Sequence, residues 1–209
     1  MIISTAKVFR KTVFIYAVGI GEVKYVSSRF LIKKCFNNVD FITVRTERDR
    51  ELLVSFGVSK EITITADPVF GLPVTPSEKI DSKRQKVGII LRKTRNWKKD
   101  VQVFSELSNL IVKNLGWGVV FIPFQLPQDI KLLNAIKSNT DVPVDIFVWS
   151  NTVELLELFS NLDVVVSMRL HGLILALKYG VPFVAIERYS KIRNFLHLMG
   201  EDIRNDEIN

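Results

Sequence analysis

Short runs of β-branched residues alternate with helix-period patterns along the whole chain, which is the signature of βαβ units stacked on a parallel sheet. The predicted fold class is therefore α/β. Thr12–Val18 reads as a buried strand ending at Gly19-Ile20-Gly21, and Ser27 or Ser28 caps a helix running to Asn37 or Asn38. Asp40–Arg45 is the next strand. Thr46 followed by Asp49 gives a helix start, with Leu52, Leu53 and Phe56 on one face and Gly57 as the stop. Glu61–Thr65 is a short strand closed by Asp67-Pro68.

From Gly71 to Lys86 the alternation lapses into linker composition, with Pro73, Pro76, Ser77, Asp81 and Ser82. This predicts one domain over 1–78, a linker over 79–86 and a second domain over 87–209. In the second, strands at Val87–Leu91, Val119–Pro123, Val144–Val148, Val164–Ser167 and Pro182–Ile186 alternate with helices at Lys99–Leu115, Gln128–Asn139, Thr152–Asn161, Leu170–Tyr179 and Lys191–Met199. That set is self-sufficient as a doubly wound, Rossmann-type domain, and its last helix is free to pack back on the first domain. Three strands make a poor core for such a unit, so the first domain reads as incomplete, lacking an N-terminal part.

The chain's 209 residues, 47% of them hydrophobic, suffice for one large core or two small ones. No apolar stretch approaches the roughly 20 residues that a bilayer demands, and Met1–Arg10 has no secretory pattern. Cys35 is the single cysteine; it excludes an internal disulfide, fits a reducing compartment and reads as a small packing residue. A net charge of +7 favours anionic partners. Lys79, Lys83, Arg84, Lys86, Arg92, Lys93, Arg95, Lys98 and Lys99 crowd one segment, against only Glu78 and Asp81. No helix-turn-helix, aromatic RNA-binding signature or zinc pattern accompanies the charge, so nucleic acid is not expected.

In doubly wound folds, ligands bind beyond the carboxyl ends of the strands. Glu22, Arg45, Asp67, Arg92, Lys93, Arg95, Gln125, Ser150 and Asn151 fall at such ends. Gly19-Ile20-Gly21 lacks the third glycine of a dinucleotide fingerprint and reads as a tight turn. Arg92, Lys93 and Arg95 suit a phosphate or carboxylate, because guanidinium forks bind planar anions through paired hydrogen bonds. The strongest constellation is Ser167-Met168-Arg169-Leu170-His171-Gly172, where a valine strand delivers an arginine and a histidine to the start of an apolar helix. Of the two histidines, His197 lies among Phe195, Leu196 and Met199 and reads as a packing or surface residue.

The span from Leu162 through Ile186 closely resembles the signature of polysaccharide pyruvyl transferases. Supporting matches occur in order at Gly19-Ile20-Gly21, Asp40–Glu47, Thr65–Phe70 and Gly88–Arg92. The resemblance implies a GT-B-like architecture of two Rossmann-type domains, with phosphoenolpyruvate as donor, a sugar or lipid-linked saccharide as acceptor and a pyruvyl ketal as product. It implies that His171 is the general acid or a phosphate contact and that Arg169 and Arg92 hold the anionic donor, with Leu170, Lys191 and Arg95 as further substrate contacts. Asp67 and Glu22 are its candidates for a base or for structural roles. It calls for no metal and no organic cofactor. A cytoplasmic location at the inner face of the membrane, peripheral contact with anionic lipid and homo-oligomerisation are compatible with it. Where the family continues with a Tyr-Asp-Pro-Lys type segment, this chain has Arg188-Tyr189-Ser190-Lys191, and only Lys191 keeps the expected chemistry. Two alternatives stay open: a GT-B glycosyltransferase using a nucleotide sugar, and an inactive truncated remnant.

Overall fold

A computed structural model of the chain describes residues 2–21, 23–73, 84–188 and 190–200. Glu22, Tyr189 and the basic residues Lys79 and Lys83 lie outside the described residues. The chain divides into two compact units, Met1–Leu72 and Pro73–Asn209.

The first unit runs α1 (Ile2–Val8), β1 (Phe14–Val18), α2 (Val26–Asn37), β2 (Phe41–Val44), α3 (Glu47–Ser55), β3 (Thr63–Ile64) and a 3-10 turn over Pro68–Gly71. The strands pair in parallel in the order β1-β2-β3, with Phe14 opposite Phe41 and Thr43 opposite Thr63. Because side chains alternate along a strand, Ile15, Ile42 and Val44 face one side, where Leu53, Val58 and Ile62 complete a core. Phe14, Tyr16 and Phe41 project to the other side, more than half exposed, with ring centroids 5.8 Å apart in both neighbouring pairs. The helix start at Thr46 forms as the sequence predicts: the Thr46 side chain accepts from the Asp49 N–H, and Gly57 ends the segment at a φ of 86° that a side chain would strain. Helix α1 was not legible, because Ile2–Val8 has no acidic first turn and buries no residue.

The second unit runs β4 (Lys86–Ile90), α4 (Trp97–Leu115), β5 (Gly118–Phe121), α5 (Gln128–Ser138), β6 (Asp145–Ile146), α6 (Thr152–Ser160), β7 (Val164–Ser167), α7 (Leu170–Lys178), β8 (Phe183–Ala185) and α8 (Ser190–Leu198). Its five parallel strands stand in the order β6-β5-β4-β7-β8. The chain therefore winds outward from β4 to β6, then crosses back to lay β7 on the other side of β4. That reversal defines a topological switch point between β4 and β7. The core is built from the largely apolar central strands and the inner faces of the helices, among them Ile89, Leu91, Phe104, Phe121, Leu132, Leu133, Ile136 and Met168. Gly88 is needed in β4, since a Cβ there would stand 2.6 Å from Leu162 Cδ1. β6 is confined to two residues rather than the five from Val144 to Val148, and Phe183 in β8 meets Phe195 of α8 at 6.5 Å. Both units are α/β with parallel sheets, and no helix among the described residues is long and apolar enough to cross a membrane.

Two ends of helices show how local chemistry fixes this unit. Arg84, which the sequence offers only as part of a basic run, donates from Nε to the Gly116 carbonyl at 2.7 Å and from Nη2 to the Trp117 carbonyl at 2.9 Å, at the C-terminal end of α4. At the start of α6, Asn151 accepts from the Glu154 N–H, while Glu154 accepts from the Ser150 N–H, the Ser150 hydroxyl and the Asn151 amide. These bonds, the Ser150 N–H foremost, hold the Glu154 carboxyl below its ordinary value of 4.5. A carboxyl lowered in the folded state stabilises above its unfolded pKa, and that contribution is lost as pH falls through the folded one. Wild type should therefore melt higher than Glu154→Gln at neutral pH, and the gap should close once the pH passes well below 4.5, as thermal melts across that range would report.

Candidate functional site

The carboxyl ends of β4 and β7 meet at the switch point, so the loops that follow them are the ones the topology offers to a ligand. After β4 the chain turns outward through Leu91–Asn96 before α4 begins. This loop carries Arg92, Lys93 and Arg95, all exposed. Thr94 anchors it: its hydroxyl donates to Asp100 Oδ2 at 2.6 Å and accepts from the Asn96 N–H at 3.2 Å. Asp100 is 1% exposed in the first turn of α4, and its other oxygen accepts from Arg188 Nη2 at 2.8 Å, just beyond β8. Lys93 is steadied by the Trp97 ring, with Nζ 5.0 Å from the centroid. A buried carboxylate thus organises a loop whose outer surface is cationic.

That surface forms one wall of a cleft of about 400 Å³ lined by Arg92, Lys93, Thr94, Arg95, Gln125, Gln128 and Asp129. The opposite wall is the loop between β5 and α5. Asp129, also 1% exposed, accepts on Oδ2 from the backbone N–H groups of Phe124 and Gln125, at 3.1 and 2.8 Å. The same carboxylate receives Arg169 Nη2 at 2.6 and 2.7 Å from its two oxygens. Its charge is therefore met by the arginine, and the cationic side chains of the lining are Arg92, Lys93 and Arg95. A phosphate or a carboxylate is the ligand chemistry such a lining favours.

The turn from β7 into α7 brings the remaining residues. Ser167 Oγ donates to the Arg169 carbonyl at 2.8 Å and accepts from the Arg169 N–H at 3.0 Å, so the serine locks the turn by its own side chain. Met168 is buried, and Arg169 extends its guanidinium to Asp129 and to the Leu91 carbonyl, 3.3 Å from Nε. Gly172 lets α7 approach the sheet, since a Cβ there would lie 2.5 Å from Ser167 Oγ and 2.6 Å from Ile90 Cδ1. Each of these residues has a structural task. Leu170 is half-buried and His171 is exposed at the second position of the helix.

The sequence-predicted residues fall into two groups. Arg92 and Arg95 sit on the loop after β4, while Arg169 caps α7 and Leu170 and His171 open it, all at the switch point of the second unit; Lys191 is exposed on α8. Asp67 belongs to the first unit, where it is buried, pairs with Arg45 and caps the 3-10 turn by accepting from the Val69 N–H at 3.1 Å. Arg45 also donates to the Ala17 carbonyl at 2.7 Å, and Asp49 accepts from the Ile20 N–H at 2.7 Å, so the Gly19-Ile20-Gly21 turn is tied to the start of α3. Among the described residues no group of three or more His, Cys, Asp or Glu side chains could hold a metal ion. Sequence reasoning missed Asp129, Asp100 and Arg188. An aspartate in the first turn of a helix reads as a complement to the helix dipole, and nothing in a single sequence joins it to an arginine 40 or 88 residues away.

A family model described as polysaccharide pyruvyl transferase matches residues 1–190. No curated protein matches the sequence. Among solved structures, a Listeria monocytogenes protein described as a UDP-N-acetylglucosamine 2-epimerase aligns at a TM-score of 0.67 and 12% identity, over 93% of this chain and 56% of that one. The UDP-GlcNAc 2-epimerase of Methanocaldococcus jannaschii aligns at 0.63 and 12%, over 93% and 60%. A mutant of S. aureus TarM, solved with Fondaparinux, alpha-GlcNAc-glycerol and UDP, aligns at 0.58 and 17%, over 89% and 40%. The chain thus spans between 40% and 60% of these three proteins. The likeness is one of fold: α/β, GT-B-like, with two Rossmann-type units.

Proposed function

This chain belongs to the polysaccharide pyruvyl transferase family, a family of transferases acting on polysaccharides, and from that premise we propose that it moves the pyruvyl group of phosphoenolpyruvate onto a sugar to form a ketal. The acceptor would be a sugar of a cell-surface polysaccharide or of its lipid-linked precursor. The observation that carries this reading is the cationic cleft beyond the carboxyl ends of β4 and β5, between the loop of Arg92, Lys93 and Arg95 and the segment of Gln125 and Gln128. Phosphoenolpyruvate is a small dianion or trianion with a phosphate and a carboxylate on one carbon, and three cations beside two amides match it in charge and in hydrogen-bond donors.

The reaction would proceed by protonation of the donor's methylene carbon, which leaves an oxocarbenium centre at the carbon bearing phosphate and carboxylate. One sugar hydroxyl bonds to that carbon, and a second displaces inorganic phosphate, closing the ketal ring. Of the two hydroxyl protons released, one balances the proton now in the methyl group and the other leaves with phosphate. His171 suits the first step, because an imidazolium can deliver a proton near neutral pH, and Arg92 and Arg95 would stabilise the departing phosphate. Leu170 would pack against the donor's methylene, and Lys191 is a further candidate contact for its anionic groups.

A nucleotide-sugar glycosyltransferase is a second reading, favoured by the UDP found with TarM. Incubating the protein with phosphoenolpyruvate labelled in its pyruvyl carbons, or with UDP-sugars labelled in the sugar, separates the two. Pyruvyl label should appear in an acid-labile sugar ketal with one phosphate released per label. Transfer of labelled sugar, with none from phosphoenolpyruvate, would overturn the proposal.

A further inference from the structure

We infer that Asp129 is a positioning residue for the transfer reaction: its ion pair with Arg169 joins the β5–α5 wall of the cationic cleft to the β7–α7 turn that carries His171. The inference rests on the pyruvyl-transfer reading for its kinetic part, but its geometry stands alone. An acid in the lining of a site for anions is a liability unless its charge is answered. Here both oxygens are occupied: Oδ1 receives Arg169 Nη2 at 2.6 Å, and Oδ2 receives the same nitrogen at 2.7 Å together with the N–H groups of Phe124 and Gln125. So engaged, and 1% exposed, the carboxylate is committed to its neighbours in the fold.

What it does is join three segments at one atom group. The β5–α5 loop is held by its N–H groups. The β7–α7 turn is held through Arg169, whose Nε also reaches the Leu91 carbonyl at 3.3 Å and whose backbone is clamped on both sides by Ser167 Oγ. The end of β4, from which Arg92 departs, is held through that carbonyl. Arg169 is therefore fixed at its backbone and at its guanidinium, and His171, two residues on, takes its place from it. Asparagine at 129 keeps the size of the side chain and one acceptor oxygen but removes the charge, so it separates positioning from packing.

Asp100 supplies a matched comparison. It has the same 1% exposure, it too lies in the first turn of a helix, and its mutation also removes an arginine's partner, but it holds the cationic loop and not the turn of His171. Both variants are measured below the onset of their melting transitions, so that unfolded protein does not imitate a fall in kcat. Asp129→Asn should lower kcat about tenfold or more with KM for phosphoenolpyruvate unchanged within about threefold or lower, whereas Asp100→Asn should raise KM with kcat held within about threefold. Equal falls in kcat for the two variants would overturn the inference.

A second measurement needs no turnover. The two histidines give resolvable ring resonances in the NMR spectrum, and the one lost in His171→Gln is that of His171. Asp129→Asn should displace this resonance and leave that of His197 in place, while Asp100→Asn should displace neither. An unmoved His171 resonance in Asp129→Asn sinks the inference even if wild type proves inactive on phosphoenolpyruvate, an inactivity that would itself count only against the function proposed above. Should Asp129→Asn not fold, Arg169→Lys keeps both charges while giving up the fork, and it must displace the His171 resonance for the inference to survive.

Discussion

His171→Gln is expected to lower kcat for ketal formation by about 10²–10⁴-fold, the range over which a positioned proton donor contributes. KM for phosphoenolpyruvate should stay within about threefold, because on the proposed reading the donor is held by Arg92, Lys93 and Arg95, which lie on a separate loop. Steady-state kinetics on the released phosphate measure both. The prediction is specific to His171. His197 lies in the basic last turn of α8, and His197→Gln should leave kcat within about twofold. A His171→Gln enzyme with wild-type kcat would remove the imidazole from the mechanism and leave the loop cations as the site's whole chemistry.

Gly172→Ala should destabilise the second unit by about 1–3 kcal/mol, the usual cost of forcing a methyl group into a close-packed site. Helix propensity alone argues the opposite sign, since alanine is favoured over glycine within a helix by up to about 1 kcal/mol. The contacts decide between the two. The new Cβ would meet Ser167 Oγ at 2.5 Å and Ile90 Cδ1 at 2.6 Å, and neither atom is free to retreat. Ser167 Oγ is committed to both the N–H and the carbonyl of Arg169, and Ile90 is fully buried. A melting temperature lower by roughly 5–10 °C is the expected reading, with the loss of transfer activity exceeding what stability alone explains, because the displaced serine releases the turn. A variant that melts at or above wild type would show that the helix can lift from the sheet without cost.

Much of this architecture was open to a reader of the sequence because its signals are local. The threonine and aspartate at positions 46 and 49 announce α3, and the valines from Val164 to Val166 announce a strand buried on both faces. The position of Arg92 and His171 at strand ends followed from the same alternation, once the doubly wound pattern was read. What stayed hidden is long-range or energetically indirect. Helix α1 has no buried residue to set a period, and β6 keeps only Asp145 and Ile146, the two residues that pair with Val120 and Phe121 of β5. Arg84 looks like one more charge in a basic run until the end of α4 is brought beside it. Arg169 reads from sequence as a ligand-binding arginine, yet its guanidinium spends its strongest bonds on Asp129, a residue that sequence alone gives no cause to notice.

The pairing of Asp100 with Arg188 and of Asp129 with Arg169 also sets an order for synthesis. Both acids emerge early, in the helices that follow β4 and β5, and both partners come late, after β8 and β7. A nascent chain that has made only the first three strands of the second unit would have to bury two carboxylates with no cation to meet them, which is costly enough to hold the helix starts open to water. The ion pairs of Asp129 and Asp100 can therefore form only after β7 and β8 have been made, so the bracing of the cleft's two walls comes late in synthesis.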